Sequence, residues 1–257
     1  MKPSVLALAR RAFLAALVLP AAALAQAPAA TLTVSAAASL TDVLKELAPA
    51  FEASHPGTTL RYNFAASGVL IQQIAQGAPV DVFISADTET VDRGIAQKLL
   101  DPGSRRDIAA NQLALIVPSG ATLPVRGLAD LARPEVRRVA MGKPATTPAG
   151  RYARQALEAG QLWASVEGKV VPADSVRQAL DYVARGEADA GFVFRTDAAP
   201  HADKVRIVGI VDGHTPVRYP AALVSDGRQK ALAGDFVAYL LSPAAQGVLA
   251  RHGFAKP

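Results

Sequence analysis

Two serines and two helix starts are the residues of this chain best suited to chemistry. Ser39 lies in TLTVSAAASLTD (31–42), where a β-branched apolar run passes into small residues and then a helical pattern. Ser67 marks the same kind of junction in NFAASGVLIQQI, with Gly68 beside it permitting close backbone approach. A third junction, Thr146-Thr147-Pro148-Ala149-Gly150-Arg151-Tyr152, sets Pro148 in a first helical turn and leaves the N–H groups of Ala149 and Gly150 free. A fourth, Pro172-Ala173-Asp174-Ser175-Val176-Arg177, reads with Asp174 as N-cap and first-turn donors around Val176. Helix N-termini carry unsatisfied N–H groups and partial positive charge, so they attract anions. Taken singly, Ser39 and Ser67 each read as an ordinary cap. Converging on one point, the four junctions would make a site for a small oxyanion.

Such a site suits particular anions. A tetrahedral dianion such as molybdate or sulfate offers only acceptors at neutral pH, so its site should supply only donors. Hydrogen phosphate keeps a proton and needs an acceptor nearby. The junctions offer neutral donors at their tips, and Asp42 and Asp174 can be engaged in caps or on helix surfaces. Fixed dipoles then replace water without a full counter-charge. Arg151 and Arg177 each follow a proposed donor; they either add positive field at the site or are solvated first-turn arginines. Asp81 and Asp87 read as structural, through capping or hinge contacts.

Other chemistries lack their signatures. There is no GxSxG elbow, no GxxxxGK[ST] loop and no GxGxxG after a strand. His55, His201, His214 and His252 lie near turns or chain ends without metal-ligand spacing, and read as surface residues.

The elements that must position these residues alternate. Strands are expected at 31–35, 58–64 and 80–85, with helices at 40–54, 68–76 and 88–99. In 40–54, Leu40, Val43, Leu44, Leu47 and Phe51 share a face, and His55-Pro56-Gly57 is the stop. A polar stretch, 101–111, precedes a strong strand at 113–117. The pattern then restarts with strands near 137–141, 169–171 and 189–194 and helices at 149–159 and 175–185. Strands near 205–211 and 217–224 follow, then helices at 228–240 and 243–251 joined by a Ser242-Pro243 cap. This order implies α/β architecture: two lobes, each a mostly parallel sheet flanked by helices. The chain is expected to cross between lobes near 110 and 215. That puts 26–110 and 216–257 in lobe I, 111–215 in lobe II and the ligand cleft between them.

Residues 1–25 read as a cleaved signal peptide: Lys2, Arg10 and Arg11, an apolar run, then Ala23-Leu24-Ala25. Arg10-Arg11-Ala12-Phe13-Leu14 also has a twin-arginine look, but the motif is loose and an ordinary secretory peptide with two arginines is the favoured reading. The chain carries 27 Lys+Arg against 22 Asp+Glu. The leader holds three of the basic residues and no acidic one, so the remainder is only +2. That balance, with no basic run, speaks against nucleic-acid binding. Cysteine is absent, so the expected product is a soluble periplasmic protein stabilised by its core alone.

Six segments in order, SAAASLTDVL, FAASGVLIQQI, PVDVFISAD, PAGRYARQAL, ADSVRQALDYVARGEADAGFVF and AAQGVLARHGF, resemble the periplasmic molybdate-binding proteins of ABC importers. The resemblance spans nearly all of the chain after the leader. It implies a type II solute-binding fold closing over one molybdate or tungstate, with an ABC importer permease as partner. It further implies no cofactor beyond that ligand, no catalysis and a monomer. The serine ligands implied are Ser39 and Ser67, and the backbone donors are Ala149 and Val176. The molybdenum is held only as molybdate, by the same residues. A tyrosine hydroxyl often completes such sites, but its strand end here is Phe194. A hydrogen bond to a charged ligand contributes on the order of 1.5–3 kcal/mol. Tyr152 could substitute, or be a packed aromatic. Two alternatives remain: the same fold binding another oxyanion such as sulfate, or a secreted α/β enzyme, which would need a nucleophile–base pair.

Overall fold

The structure, a computed structural model, describes residues 30–257. The expected signal peptide lies outside the described residues. Strand β1 (Ala30–Ala37) buries Leu32, Val34 and Ala36, the period-2 face of a β-branched run. Helix α1 (Thr41–Ser54) buries Val43, Leu44, Leu47 and Phe51 as one stripe. It stops before Gly57, whose φ of +84° suits a residue without Cβ. Next come β2 (Thr58–Ala65), α2 (Ser67–Ala75), β3 (Val82–Ile84) and α3 (Thr88–Ala96). The stretch read only as polar contains a strand, β4 (Arg106–Asn111). Its middle residues Ile108 and Ala109 are buried, while the flanks are polar, as an edge strand allows.

The chain continues with β5 (Leu113–Pro118), β6 (Val139–Gly142), α4 (Pro148–Ala159), α5 (Trp163–Val166), β7 (Val170–Ala173), α6 (Val176–Ala184), β8 (Ala190–Phe194), α7 (Arg195–Ala198) and β9 (Val205–Ile210). It closes with β10 (Val217–Leu223), α8 (Lys230–Leu240) and α9 (Pro243–Arg251). Helices α5 and α7 span one turn each, too short for a periodic signal. At α9, the Ser242 hydroxyl accepts the Ala245 N–H at 3.3 Å with Pro243 in the first turn.

The strands form two five-stranded sheets, ordered β2-β1-β3-β10-β4 and β7-β6-β8-β5-β9. In each, four strands run one way and the fourth in the order is reversed: β10 in the first sheet, β5 in the second. Each reversed strand is the one entered directly after the chain passes from one sheet to the other. Helices flank both sheets, and one continuous hydrophobic core contains residues of both. A smaller cluster, including Leu70, Phe83 and Val91, lies under α2 and α3.

Register sets the position of the junctions. Ala37 pairs with Ala65 at the last rung of β1–β2, and Ser39 and Ser67 each follow two residues later. Gly142 pairs with Ala173 at the last rung of β6–β7, from which the chain leads into α4 and α6. All four junctions thus lie beyond the carboxyl ends of strands, where open α/β sheets hold ligands.

Candidate functional site

The junctions meet around one small cavity between the two sheets. Ser39, Ser67 and Ala86 line it from the first sheet, and Thr147, Ala149, Val176 and Phe194 from the second. The remaining lining residues are Ala37, Ala38, Ala65, Ala66 and Pro148, so among the described residues no charged side chain and no histidine faces the space. A wider cleft opens at the opposite end of the first sheet around Thr31, Asp81 and Arg228. Its buried carboxylate is engaged: Asp81 accepts the N–H groups of Thr33, Arg228 and Gln229 at 2.8–3.0 Å. That cleft is a structural junction, as expected of Asp81.

Neither serine is a cap. Ser39 sits inside a 3-10 turn, Ala38–Leu40, that has no side-chain capping bond. Its Oγ lies 2.9 Å from the Tyr219 hydroxyl. Ser67 opens α2, again without a capping bond, and its Oγ accepts the Ala86 N–H at 3.1 Å. Both side chains are buried.

The helix starts supply donors by geometry. In α4 the first i−4 bond runs from Arg151 N–H to Thr147 O at 3.1 Å, so the Ala149 and Gly150 amides precede the intrahelical ladder. In α6 the cap is Ser175, not Asp174: Ser175 has the extended backbone of an N-cap, and its Oγ accepts the Gln178 N–H at 3.2 Å. Asp174 lies one residue too early and instead accepts from Lys143 Nζ. The Val176 amide is in the first turn and Val176 lines the cavity.

The two arginines are neither solvated nor free sources of field. Arg151 Nε donates to Asp87 at 2.9 Å, its Nη2 reaches the same carboxylate and Thr90 Oγ1, and its Nη1 donates to Pro144 O at 3.0 Å. Its side chain is only 12% exposed. Asp87 also accepts from Ser85 Oγ and from the Thr90 N–H, capping α3. Arg177 Nη2 donates to Asp42 at 2.7 Å, and its Nε lies 2.6 Å from Asp197. That second approach lacks hydrogen-bond alignment, leaving both Asp197 oxygens buried without a donor among the described residues. Burial pushes the Asp197 carboxyl up to about 6, against the opposing pull of Arg177. Asp42 and Asp87 precede the first crossing and Arg151 and Arg177 follow it, so each arginine joins the two halves.

Two further bonds cross the same gap. The Gly68 N–H donates to Thr146 O at 2.9 Å, and the Tyr152 hydroxyl donates to Ala86 O at 3.2 Å. Tyr152 is therefore committed to a carbonyl and is absent from the cavity lining. Phe194 is fully buried, with Tyr152 and Tyr219 edge-on at centroid distances of 6.3 and 5.9 Å.

Tyr219, Asn111 and Asp197 were invisible to local sequence reading. Tyr219 is fully buried, bonded to Ser39 and to Asn111 Nδ2 at 3.1 Å. Burial, reinforced by Asp197, raises its phenol far above the ordinary range and keeps the hydroxyl protonated. Its only sequence signal is a polar-tipped aromatic in a short strand, VRYPAAL, that is apolar after it.

Comparison with known proteins agrees with this architecture. The family described as bacterial extracellular solute-binding protein matches residues 32–255. The chain is 38% identical over 231 residues to a Bacillus subtilis lipoprotein named as an ABC transporter substrate-binding protein, covering 87% of this chain and 86% of the relative. It is 35% identical over 237 residues to the molybdate-binding protein ModA of Haemophilus influenzae, covering 89% and 91%. The solved periplasmic molybdate-binding protein of Azotobacter vinelandii superposes with a TM-score of 0.76 at 27% identity, covering 88% of this chain and 99% of that one.

Proposed function

The chain belongs to the bacterial extracellular solute-binding protein family, and we propose that it binds molybdate or tungstate in the periplasm and delivers it to an ABC importer permease. The observation that carries this reading is the cavity lining. Ser39, Ser67, Ala149 and Val176 help to surround one small space that, among the described residues, no carboxylate and no arginine side chain lines. A tetrahedral dianion offers acceptors only, and neutral donors can hold it without desolvating a counter-charge. The naming of the relatives for molybdate supports the choice of anion.

In this reading the hydroxyls of Ser39 and Ser67 and the amides of Ala149 and Val176 are the ligands, with no cofactor. Closure of 26–110 and 216–257 onto 111–215 encloses the anion. Arg151–Asp87 and Arg177–Asp42 hold the closed form, which a permease distinguishes from the open one. Export relies on the leader at 1–25, and the protein acts as a monomer. The lining offers no side-chain base to either serine, which separates this site from a hydrolase. Ser39→Ala and Ser67→Ala test the assignment: each should weaken molybdate binding by about 1.5–3 kcal/mol, read by calorimetry. Unchanged affinity in both variants refutes the site.

A further inference from the structure

The two serines differ in how their hydrogens are aimed. Ser67 Oγ accepts from the Ala86 backbone N–H, a donor that cannot reverse. Ser39 faces the Tyr219 hydroxyl, which can either give or receive. Asn111 settles the direction. Its Oδ1 accepts the Gln112 N–H at 2.8 Å, which fixes the amide orientation. Its Nδ2 donates to Thr196 Oγ1 at 2.8 Å and to Tyr219 Oη at 3.1 Å. The Tyr219 oxygen is therefore already receiving a hydrogen. With an acceptor-only anion in front of Ser39, the serine donates to the anion and Tyr219 donates to Ser39. The chain of donors runs from Asn111 through Tyr219 and Ser39 into the cavity.

We propose that Tyr219 is a positioning residue that sets oxyanion selectivity, by donating to Ser39 Oγ so that the Ser39 hydrogen is not drawn to Tyr219 and is left for the ligand, which favours an acceptor-only anion over a protonated one. This rests on the oxyanion-binding reading of the same cavity. Without the Tyr219 hydroxyl, this bias of Ser39 towards donating to the ligand is lost. The site then tolerates hydrogen phosphate better and holds molybdate less well. Asn111 closes β4, directly before the chain crosses to the second sheet, and Thr196 lies beyond the crossing, so the relay also joins the two halves.

The test is calorimetric titration of the full mature chain with molybdate and with inorganic phosphate at pH 7.5. Tyr219→Phe keeps the ring and its edge contacts with Phe194 and Phe254. Molybdate affinity should fall about tenfold and the molybdate-to-phosphate ratio should narrow by at least that factor. In a Ser39→Ala background, adding Tyr219→Phe should change molybdate affinity less than twofold, because Tyr219 acts through Ser39. Equal losses in both backgrounds would mean a packing role and overturn the relay. Asn111→Leu should give a smaller loss that also vanishes without Ser39, and it serves if Tyr219→Phe lowers the melting temperature. Wild-type selectivity retained in Tyr219→Phe refutes the relay alone. Failure of the wild type to bind molybdate refutes the oxyanion reading and the relay together.

Discussion

The amide of Gly68 donates to the carbonyl of Thr146 across the gap between the two sheets, at 2.9 Å. No larger residue fits this contact. A Cβ on Gly68 would lie 2.6 Å from Thr146 O and 2.8 Å from Thr146 Cα, both backbone atoms that cannot swing aside. Gly68→Ala should therefore hold the two halves apart. Molybdate affinity should fall tenfold or more, while ligand-free thermal stability stays level or rises, since alanine favours a helix over glycine by roughly 1 kcal/mol. Calorimetry and a thermal melt separate these effects; equal loss of stability and affinity would count against a closure role.

The two arginine clasps should differ in strength. Arg151–Asp87 is nearly dry, and removing one partner of a buried pair costs about 3–5 kcal/mol when the other charge stays buried. Opening lets Asp87 regain water, so Arg151→Gln should act mainly on closure and weaken ligand binding at least tenfold. Arg177–Asp42 is open to solvent on one side, with Asp42 54% exposed and the Arg177 side chain 26%, and solvent-exposed pairs contribute roughly 0–1 kcal/mol. Asp42→Asn should thus change affinity less than fivefold. Matching losses in the two variants would contradict this ordering.

Asp197 predicts an inverted pH effect. Its carboxyl moves from 3.8 to about 6 on folding, so between those values the folded protein binds more protons than the unfolded one. Its contribution to stability is fully present below the unfolded value and is lost as pH rises through about 6. Asp197→Asn removes the ionisation while keeping the shape. The variant should gain on the wild type at pH 7 by on the order of 1–3 kcal/mol, and the gap should close by pH 4. Denaturant melts at the two pH values measure this. A pH-independent gap would show that Asp197 is ionised throughout.

Phe194 should accept a hydroxyl profitably. Its ring lines the cavity, at the strand end where the family resemblance implies a tyrosine. Phe194→Tyr should tighten molybdate binding by about tenfold, the worth of one hydrogen bond to a charged ligand. Unchanged affinity would mean that the added hydroxyl points away from the anion, towards Tyr152 or Tyr219.

Local signals made some of this legible. The stripe of α1, the Ser242-Pro243 cap and the strand-to-helix steps at Ser39, Ser67, Ala149 and Val176 are short-range patterns, and periodicity and turn chemistry expose them. β4 escaped because an edge strand does not need alternating apolar residues. The cap of α6 was misplaced by one residue, since Asp174 and Ser175 are equally good capping types and only the backbone angles separate them. Tyr219 escaped for a stronger reason: its partner Ser39 is 180 residues away, and nothing local joins β10 to the turn after β1. The arginines read as solvated or field-bearing are paired with acids from the other half of the chain. Only the folded arrangement brings those charges together.

The most direct test is calorimetric titration of the purified mature chain with molybdate, tungstate, sulfate and phosphate in turn. Tight 1:1 binding of molybdate and tungstate, with sulfate at least a hundredfold weaker and phosphate weaker still, is the expected result. Equal micromolar-or-weaker binding of sulfate and molybdate would contradict it.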